Sequence, residues 1–150
     1  MELLLWRHAE AEPGFPDIGR RLTTRGEQQA ERMAGWLREH APKDLRIIVS
    51  PAQRTLQTVA PFSTKYEVLE AVSTDGDADS LLKAADWPDA AGSVLVVGHQ
   101  PTLGVVASRL LTGMDDDIAV KKGALWWFSS RVREGHREMT LKAVIPPSLA

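Results

Sequence analysis

Residues 3–10 have the sequence LLLWRHAE, in which four apolar residues are followed directly by an arginine and a histidine. A short apolar run that ends abruptly in polar residues is typical of a strand buried on both faces of a parallel sheet. We therefore predict a strand at Leu3–Trp6, with Arg7 and His8 at its carboxyl end.

The same arrangement occurs twice more along the chain. The apolar run Arg46–Val49 is followed by SPAQ, and the run Ser93–Val97 is followed by GHQP. The SPAQ segment is typical of a helix start, with Ser50 as the N-cap and Pro51 at the first helical position. Apolar residues at helical spacing after Pro101 predict a helix behind the last of these strands as well.

The segments between these strands also have helical or turn patterns. Apolar residues at helical spacing predict a long helix from Thr24 to about His40, and Thr24 and Glu27 have the spacing of a capping box. Weaker patterns predict a third strand at Tyr66–Leu69 and a short helix at about Asp79–Ala85.

The last third of the chain contains two apolar β-type runs, Ala124–Phe128 and Met139–Val144. They flank the polar stretch Ser129–Glu138, which contains a glycine, and they predict a closing antiparallel hairpin at the edge of the sheet. The alternation of strands and helices predicts one α/β domain over residues 1–150, with a mostly parallel central sheet between two layers of helices.

Composition limits the class of protein further. The 150 residues are 43% hydrophobic and 25% charged, which is the usual range for a globular domain, and the net charge of -2 provides no basic field for nucleic acid. The chain has no cysteine, so we expect a reducing compartment, the cytoplasm. No apolar stretch is long enough to span a bilayer, and we expect a monomer without a membrane partner.

Four side chains with anion-binding chemistry follow the predicted strands: Arg7, His8, Arg54 and His99. The carboxyl ends of parallel strands meet at one edge of a sheet, where α/β proteins bind ligands. Guanidinium groups offer paired donors that match phosphate oxygens, so we predict an anion pocket. A metal site is the rival interpretation for two histidines, but neighbouring arginines repel a cation and no HExxH pattern is present.

The segments LLLWRHAEAE, LTTRGEQQAE, IIVSPAQRTLQTV and VLVVGHQPTLG resemble the histidine phosphatase superfamily, which includes cofactor-dependent phosphoglycerate mutase. The similarity extends from residue 3 to about residue 128, and the short length is most similar to the SixA-type phosphohistidine phosphatases. The resemblance implies a phosphoglycerate mutase-like fold and an enzyme that needs no cofactor.

The resemblance also implies a role for each residue at the sheet edge. His8 is the nucleophile that becomes phosphorylated, while Arg7, Arg54 and His99 hold the phosphoryl oxygens. The backbone N–H of Gln100 is a further implied contact. From the residues themselves, we expect nearby guanidiniums to lower the pKa of His8, so that its imidazole is neutral near pH 7.

The ester-cleaving members of this family carry an acid between the second arginine segment and the second histidine. Here that interval holds only loop acids, of which Glu70 is the leading candidate proton donor. Imidazole has a pKa of about 6.5 and leaves without a strong acid, which favours a phosphohistidine substrate on a signalling or phosphotransfer protein. Two alternatives stay open: a phosphatase of small phosphate esters, and a phosphate-dependent binding module without turnover.

The other basic residues near these segments have no motif of their own. We expect them to be solvated at the surface: Arg20, Arg21, Arg25, Lys121 and Lys122.

Overall fold

The computed structural model describes all residues from 1 to 150. The strands are β1 (Glu2–Arg7), β2 (Leu45–Val49), β3 (Glu67–Val68), β4 (Ser93–Gly98), β5 (Leu125–Arg133) and β6 (His136–Ile145). The helices are α1 (Thr24–His40), α2 (Gln53–Val59), α3 (Ala78–Ala84) and α4 (Thr102–Thr112). Short 3-10 helices lie at Asp17–Gly19, Glu70–Val72 and Pro147–Leu149.

The six strands form one sheet in the order β3-β2-β4-β1-β5-β6. The first four of these are parallel to one another, whereas β5 pairs antiparallel with both of its neighbours, β1 and β6. In the register of the sheet, Arg7 lies opposite Gly98 and Val49 lies opposite Val97. The strands β1, β2 and β4 therefore end at the same edge, and the predicted mixed sheet with a C-terminal hairpin is confirmed.

Helices cover both faces of the sheet, as predicted. In β1, Leu3 and Leu5 belong to one buried cluster, while the alternate residues Leu4 and Trp6 belong to the other. This alternation follows from the two-residue period of a strand. The first cluster includes residues of α3 and α4, namely Leu81, Leu103, Val106 and Ala107. The second includes residues of α1 and α2, namely Met33, Leu37 and Val59.

Two predicted helix caps are wrong by a small number of residues. The N-cap of α1 is Thr23 rather than Thr24, and its side chain accepts a hydrogen bond from the Gly26 N–H. The helix after β2 begins at Gln53, and its N-cap is Ala52, which has no side-chain cap. Ser50 accepts the Ala52 N–H at 3.2 Å within a tight turn that precedes the helix, so its hydroxyl stays at the sheet edge.

The C-terminal hairpin is longer than predicted. The polar stretch at 129–138 is part of the paired strands, and the ladder continues to the pair Arg133–His136. Only Glu134 and Gly135 form the turn, both with positive φ, which matches the twist of a two-residue hairpin. An exposed hairpin is held by its backbone ladder and needs no apolar alternation, so the sequence pattern underestimated its length. The strand β3 is shorter than predicted because only residues 67 and 68 pair with β2.

Candidate active site

Three of the four predicted side chains meet at the carboxyl edge of the sheet. His8 follows β1 and His99 follows β4, and their ring centroids are 5.4 Å apart. Arg54, in the first turn of α2, places its Nη2 3.4 Å from Nδ1 of His99. The exposed fractions are 7% for His8, 4% for Arg54 and 5% for His99, so the parallel register brings all three together in a buried position.

The fourth predicted side chain, Arg7, lies at the end of β1 and is partly buried. Its Nη1 donates a hydrogen bond of 2.9 Å to the backbone carbonyl of Val120. The Nε atoms of Arg7 and Arg54 are both buried without a hydrogen-bond partner within the chain. A buried donor without a partner costs free energy, and an incoming anion would satisfy it.

The tautomer of His8 follows from its neighbour. Its Nδ1 lies 2.7 Å from the backbone carbonyl of Ala9. A carbonyl only accepts hydrogen bonds, so Nδ1 carries the proton and Nε2 of the neutral ring carries the lone pair. The side chain of His8 is thereby oriented with one nucleophilic nitrogen available for reaction.

The tautomer of His99 is the reverse. Its Nδ1 faces the guanidinium of Arg54, which only donates, so this nitrogen carries the lone pair. Its Nε2 lies 2.7 Å from the hydroxyl of Ser50 and donates to it. The serine that was expected to cap a helix therefore fixes the orientation of the second histidine.

Both histidines are held in the neutral form. Burial is the main cause that lowers the pKa of His8 to about 4, and the charges of Arg54, Arg7 and Arg20 act in the same direction, while the hydrogen bond to Ala9 opposes them. Burial and the charge of Arg54 likewise lower the pKa of His99 to about 3. The guanidiniums thus have the expected effect on His8, although desolvation is the larger cause.

The loop before α1 adds two side chains that the sequence did not predict. The Asp17 carboxylate accepts from Arg54 Nη2 at 3.1 Å and from Arg20 Nη1 at 3.0 Å, and the Asp17 carbonyl accepts from Arg54 Nη1 at 2.9 Å. These arginine contacts also lower the pKa of Asp17. Arg20 was expected to be a solvated surface residue, but it is a third guanidinium beside the buried histidines.

The sequence contained no pattern that singled out these two residues. They lie in a loop rich in proline and glycine, without periodicity and outside the strand ends that carried the prediction. Only the proximity of this loop to the end of β2 and α2, which is a tertiary feature, brings Asp17 to Arg54.

The side chain of Gln100 points away from the histidines. Its Nε2 donates to the carbonyl of Ile118 at 2.9 Å, and its Oε1 accepts the Gly104 N–H at 2.7 Å. The side chain is therefore occupied, and any contact of this residue with an anion has to come from its backbone N–H.

The candidate acid Glu70 is exposed and lies at the start of a 3-10 helix. It lines a cavity of about 250 Å³ together with Asp17 and Ser50. This cavity connects Glu70 with residues that contact Arg54 and His99 directly.

The molecule contains no group of three or more histidine, aspartate or glutamate side chains placed to hold a metal ion. None of its helices has the length and apolar character needed to cross a bilayer.

The sequence of this chain matches a known family. The family model of the histidine phosphatase superfamily (branch 1) matches residues 3–77. The chain belongs to this superfamily.

One sequence relative and two solved structures show which members of the superfamily this chain is similar to. Phosphohistidine phosphatase SixA of Escherichia coli (strain K12) is 31% identical over 122 residues, which cover 75% of this chain and 76% of that protein. A structure of the protein histidine phosphatase SixA complexed with tungstate has a TM-score of 0.76 and 25% identity, covering 99% of this chain and 98% of the other. The phosphoserine phosphatase of Entamoeba histolytica, with a TM-score of 0.71 and 18% identity over 95% of each chain, shares the fold.

Proposed function

We propose that this chain is a phosphohistidine phosphatase that acts through a phosphohistidine intermediate on His8. The observation that carries the proposal is a buried, neutral imidazole whose Nε2 lone pair is free and whose neighbours are guanidinium groups. The similarity to SixA, a phosphohistidine phosphatase, supports the substrate class.

The first step is in-line attack of His8 Nε2 on the phosphorus of the substrate. A bond forms between Nε2 and phosphorus while the bond between phosphorus and the substrate imidazole breaks, and the leaving nitrogen takes a proton from solvent. Arg7 and Arg54 balance the negative charge on the equatorial oxygens, with Arg20 as a third cation. The buried Nε donors of Arg7 and Arg54, which have no partner within the chain, support this role.

The second step is hydrolysis of the phosphorylated enzyme. Water attacks the phosphorus, the bond to His8 Nε2 breaks, and inorganic phosphate leaves. His99 lies 5.4 Å from His8, centroid to centroid, and its Nδ1 faces Arg54. Its one N–H is donated to Ser50, so a contact of His99 with a phosphoryl oxygen requires that this hydrogen bond be exchanged or that the ring take up a second proton. The backbone N–H of Gln100 is the remaining donor in this arrangement.

Asp17 is paired with Arg54, so its carboxylate competes with a phosphoryl group for this guanidinium. Its carboxylate takes a guanidinium donor that a phosphate oxygen would otherwise accept from. The Asp17 side chain is 57% exposed, so solvent hydrates it readily once it is displaced.

An ester phosphatase is the second candidate function. The fold shared with a phosphoserine phosphatase and the position of Glu70 in the cavity beside Asp17 favour it. A phosphate-dependent binding module without turnover is the third, and it predicts anion binding without a phosphorylated His8. The protein-borne substrate, the cytoplasmic location and the monomeric state stay predictions.

Trapping the intermediate tests the proposal. In a rapid-quench experiment with a ³²P-labelled phosphohistidine peptide, we expect acid-labile label on the protein and none on His8→Ala. Turnover should fall by roughly 10⁴-fold in that variant. The exposed His136 on the hairpin provides a matched control, because His136→Ala should keep both label and activity.

The result also separates the three candidates. Retained turnover in His8→Ala would overturn the mechanism. Binding of tungstate without any label on His8 would favour the binding module, and faster turnover of phosphoserine than of the phosphohistidine peptide would favour the ester phosphatase.

A further inference from the structure

A polar cleft of about 340 Å³ lies beside α1, outside the cavity that contains Asp17 and Glu70. Its walls carry no aliphatic or aromatic side chain larger than proline. The residues that line it are Arg25, Gln28, Gln29 and Arg32 of α1 with Pro147 and Ser148 of the C-terminal 3-10 helix.

The two arginines of this cleft have no carboxylate partner. Arg25 and Arg32 are exposed and take part in none of the ion pairs of the molecule. They are seven residues apart, so they lie on the same face of the helix. The acids of this helix segment, Glu27 and Glu31, line a separate cavity together with Pro61. Within residues 25–32 of α1, the basic and acidic side chains are thus separated onto two faces.

The loop that packs against Gln29 and Pro147 of the cleft carries two further cations. Lys121 and Lys122 are exposed and also have no carboxylate partner. A Cβ built on the next residue, Gly123, would lie 2.8 Å from Pro147 Cγ and 3.5 Å from Gln29 Cβ, which shows how closely this loop packs against the cleft. Arg25, Arg32 and these two lysines are therefore exposed cations without a carboxylate partner, in a chain whose net charge is -2.

The cleft is connected to the backbone segment that contains the proposed nucleophile. Gln29 Oε1 accepts the backbone N–H of Glu10 at 2.9 Å, and the Gly123 N–H donates to the carbonyl of His8 at 3.0 Å. Gly26 of α1 packs so closely against the Glu10 carbonyl that a Cβ there would collide with it. Gln29 of the cleft therefore contacts the backbone two residues after His8, and Gly123, which packs against the cleft, contacts the backbone of His8 itself.

We propose that this cleft, the basic cleft of Arg25 and Arg32, binds acidic side chains that lie next to the phosphohistidine of a protein substrate. The inference rests on the proposed function and extends it to the recognition of the substrate. Guanidiniums bind carboxylates in paired geometry, and the glutamine amides add neutral donors. The cleft contains no aromatic side chain for base stacking, which favours an acidic peptide over a nucleic acid.

Two phosphohistidine peptides of equal length test the proposal, one flanked by glutamates and the other by glutamines. For the wild-type protein we expect kcat/KM to be about fivefold higher for the acidic peptide, with the difference in KM. The variant Arg25→Gln/Arg32→Gln should lose this preference while its turnover of phosphoramidate is unchanged. The control Arg131→Gln/Arg133→Gln, which removes the same charge from the exposed hairpin, should keep the preference.

A wild-type protein without preference, or a cleft variant that keeps it, would overturn the proposal. A direct binding measurement separates this failure from failure of the proposed function. Fluorescence anisotropy with a labelled hexaglutamate peptide should show binding that is lost in Arg25→Gln/Arg32→Gln, even if no phosphohistidine is ever hydrolysed. Tighter binding of a single-stranded oligonucleotide than of hexaglutamate would also contradict the inference.

Discussion

The site is built from two regions with opposite properties. The strand-end groups His8, Arg54 and His99 are at most 7% exposed and are fixed by the sheet, by α2 and by Ser50. The loop before α1 carries Asp17 and is exposed from residue 12 to residue 19, with Phe15 98% exposed. The two regions meet at Arg54, so the buried region supplies the chemistry while the exposed loop decides what occupies its guanidinium.

The loop is attached to the rest of the molecule at its base and at its tip. Its base is closed by backbone pairing, in which the Glu12 N–H donates to the Arg21 carbonyl at 2.7 Å. Its tip is held to the site by the ion pairs of Asp17 with Arg20 and Arg54. The pair with Arg20 is exposed and contributes about 1 kcal/mol or less, whereas Arg54 is only 4% exposed, so an incoming phosphoryl group has to replace the carboxylate as the partner of that guanidinium.

Removing the guanidinium of Arg54, at which the two regions meet, should have the largest effect on anion binding. We expect Arg54→Ala to weaken tungstate binding by about 100-fold, because charge-assisted hydrogen bonds contribute about 1.5–3 kcal/mol and each 1.4 kcal/mol is tenfold in affinity. Isothermal titration calorimetry measures the change. Arg38→Ala is the control, since Arg38 is exposed on α1 and donates to the Pro61 carbonyl. Equal affinity in Arg54→Ala and wild type would show that the anion binds elsewhere.

The buried region should also make stability depend on pH. The pKa values of His8 and His99 are lowered from 6.5 to about 4 and about 3, so below pH 6.5 the unfolded chain binds protons that the folded chain does not. The free energy of unfolding therefore falls as the pH falls, by about 2 kcal/mol per histidine between pH 8 and pH 5.

Urea unfolding of His99→Gln at these two pH values tests this expectation. The loss of stability on acidification should be about 2 kcal/mol smaller than in the wild type. His136→Gln should not change the loss, because His136 is exposed in the hairpin. The same pH dependence in His99→Gln and wild type would contradict a neutral, buried His99.

Neutralising the loop carboxylate should have a smaller effect, in the opposite direction to Arg54→Ala. We expect Asp17→Asn to strengthen tungstate binding by about fivefold, because the competing charge on Arg54 is removed. Asp75→Asn is the control, since Asp75 lines the same cavity but forms no ion pair. Weaker binding in Asp17→Asn would mean that the carboxylate holds Arg54 in place for the anion instead of competing with it.

The strand-end groups could be predicted from the sequence, whereas the loop residues could not. His8 and His99 follow apolar runs, and the rule that parallel strands end at one edge was enough to bring them together. Arg54 follows a run of the same kind. Asp17 and Arg20 are positioned by the path of a loop, which depends on tertiary contacts that no local pattern encodes.

Some local details within the helices and strands could not be predicted from the sequence either. The hydroxyls of Ser50 and Thr23 are both suited to capping, and only the backbone conformation decides that Thr23 caps α1 while Ser50 holds His99. The exposed hairpin lacks the apolar alternation that marks a buried strand, so its length became visible only from the ladder between β5 and β6.

The smallest effect is expected at Glu70, which lines the cavity beside the loop but contacts neither histidine nor arginine there. With a phosphohistidine peptide, Glu70→Gln should change kcat by less than about threefold, because the imidazole leaving group has a pKa near 6.5 and needs no strong acid. With phosphoserine the leaving alkoxide needs a proton, so the same variant should lose about tenfold. Glu67→Gln is the control, since Glu67 is paired with Arg46 away from this cavity. Equal losses on both substrates would mean that Glu70 acts on a step common to them, such as activation of the water that hydrolyses the phosphorylated His8.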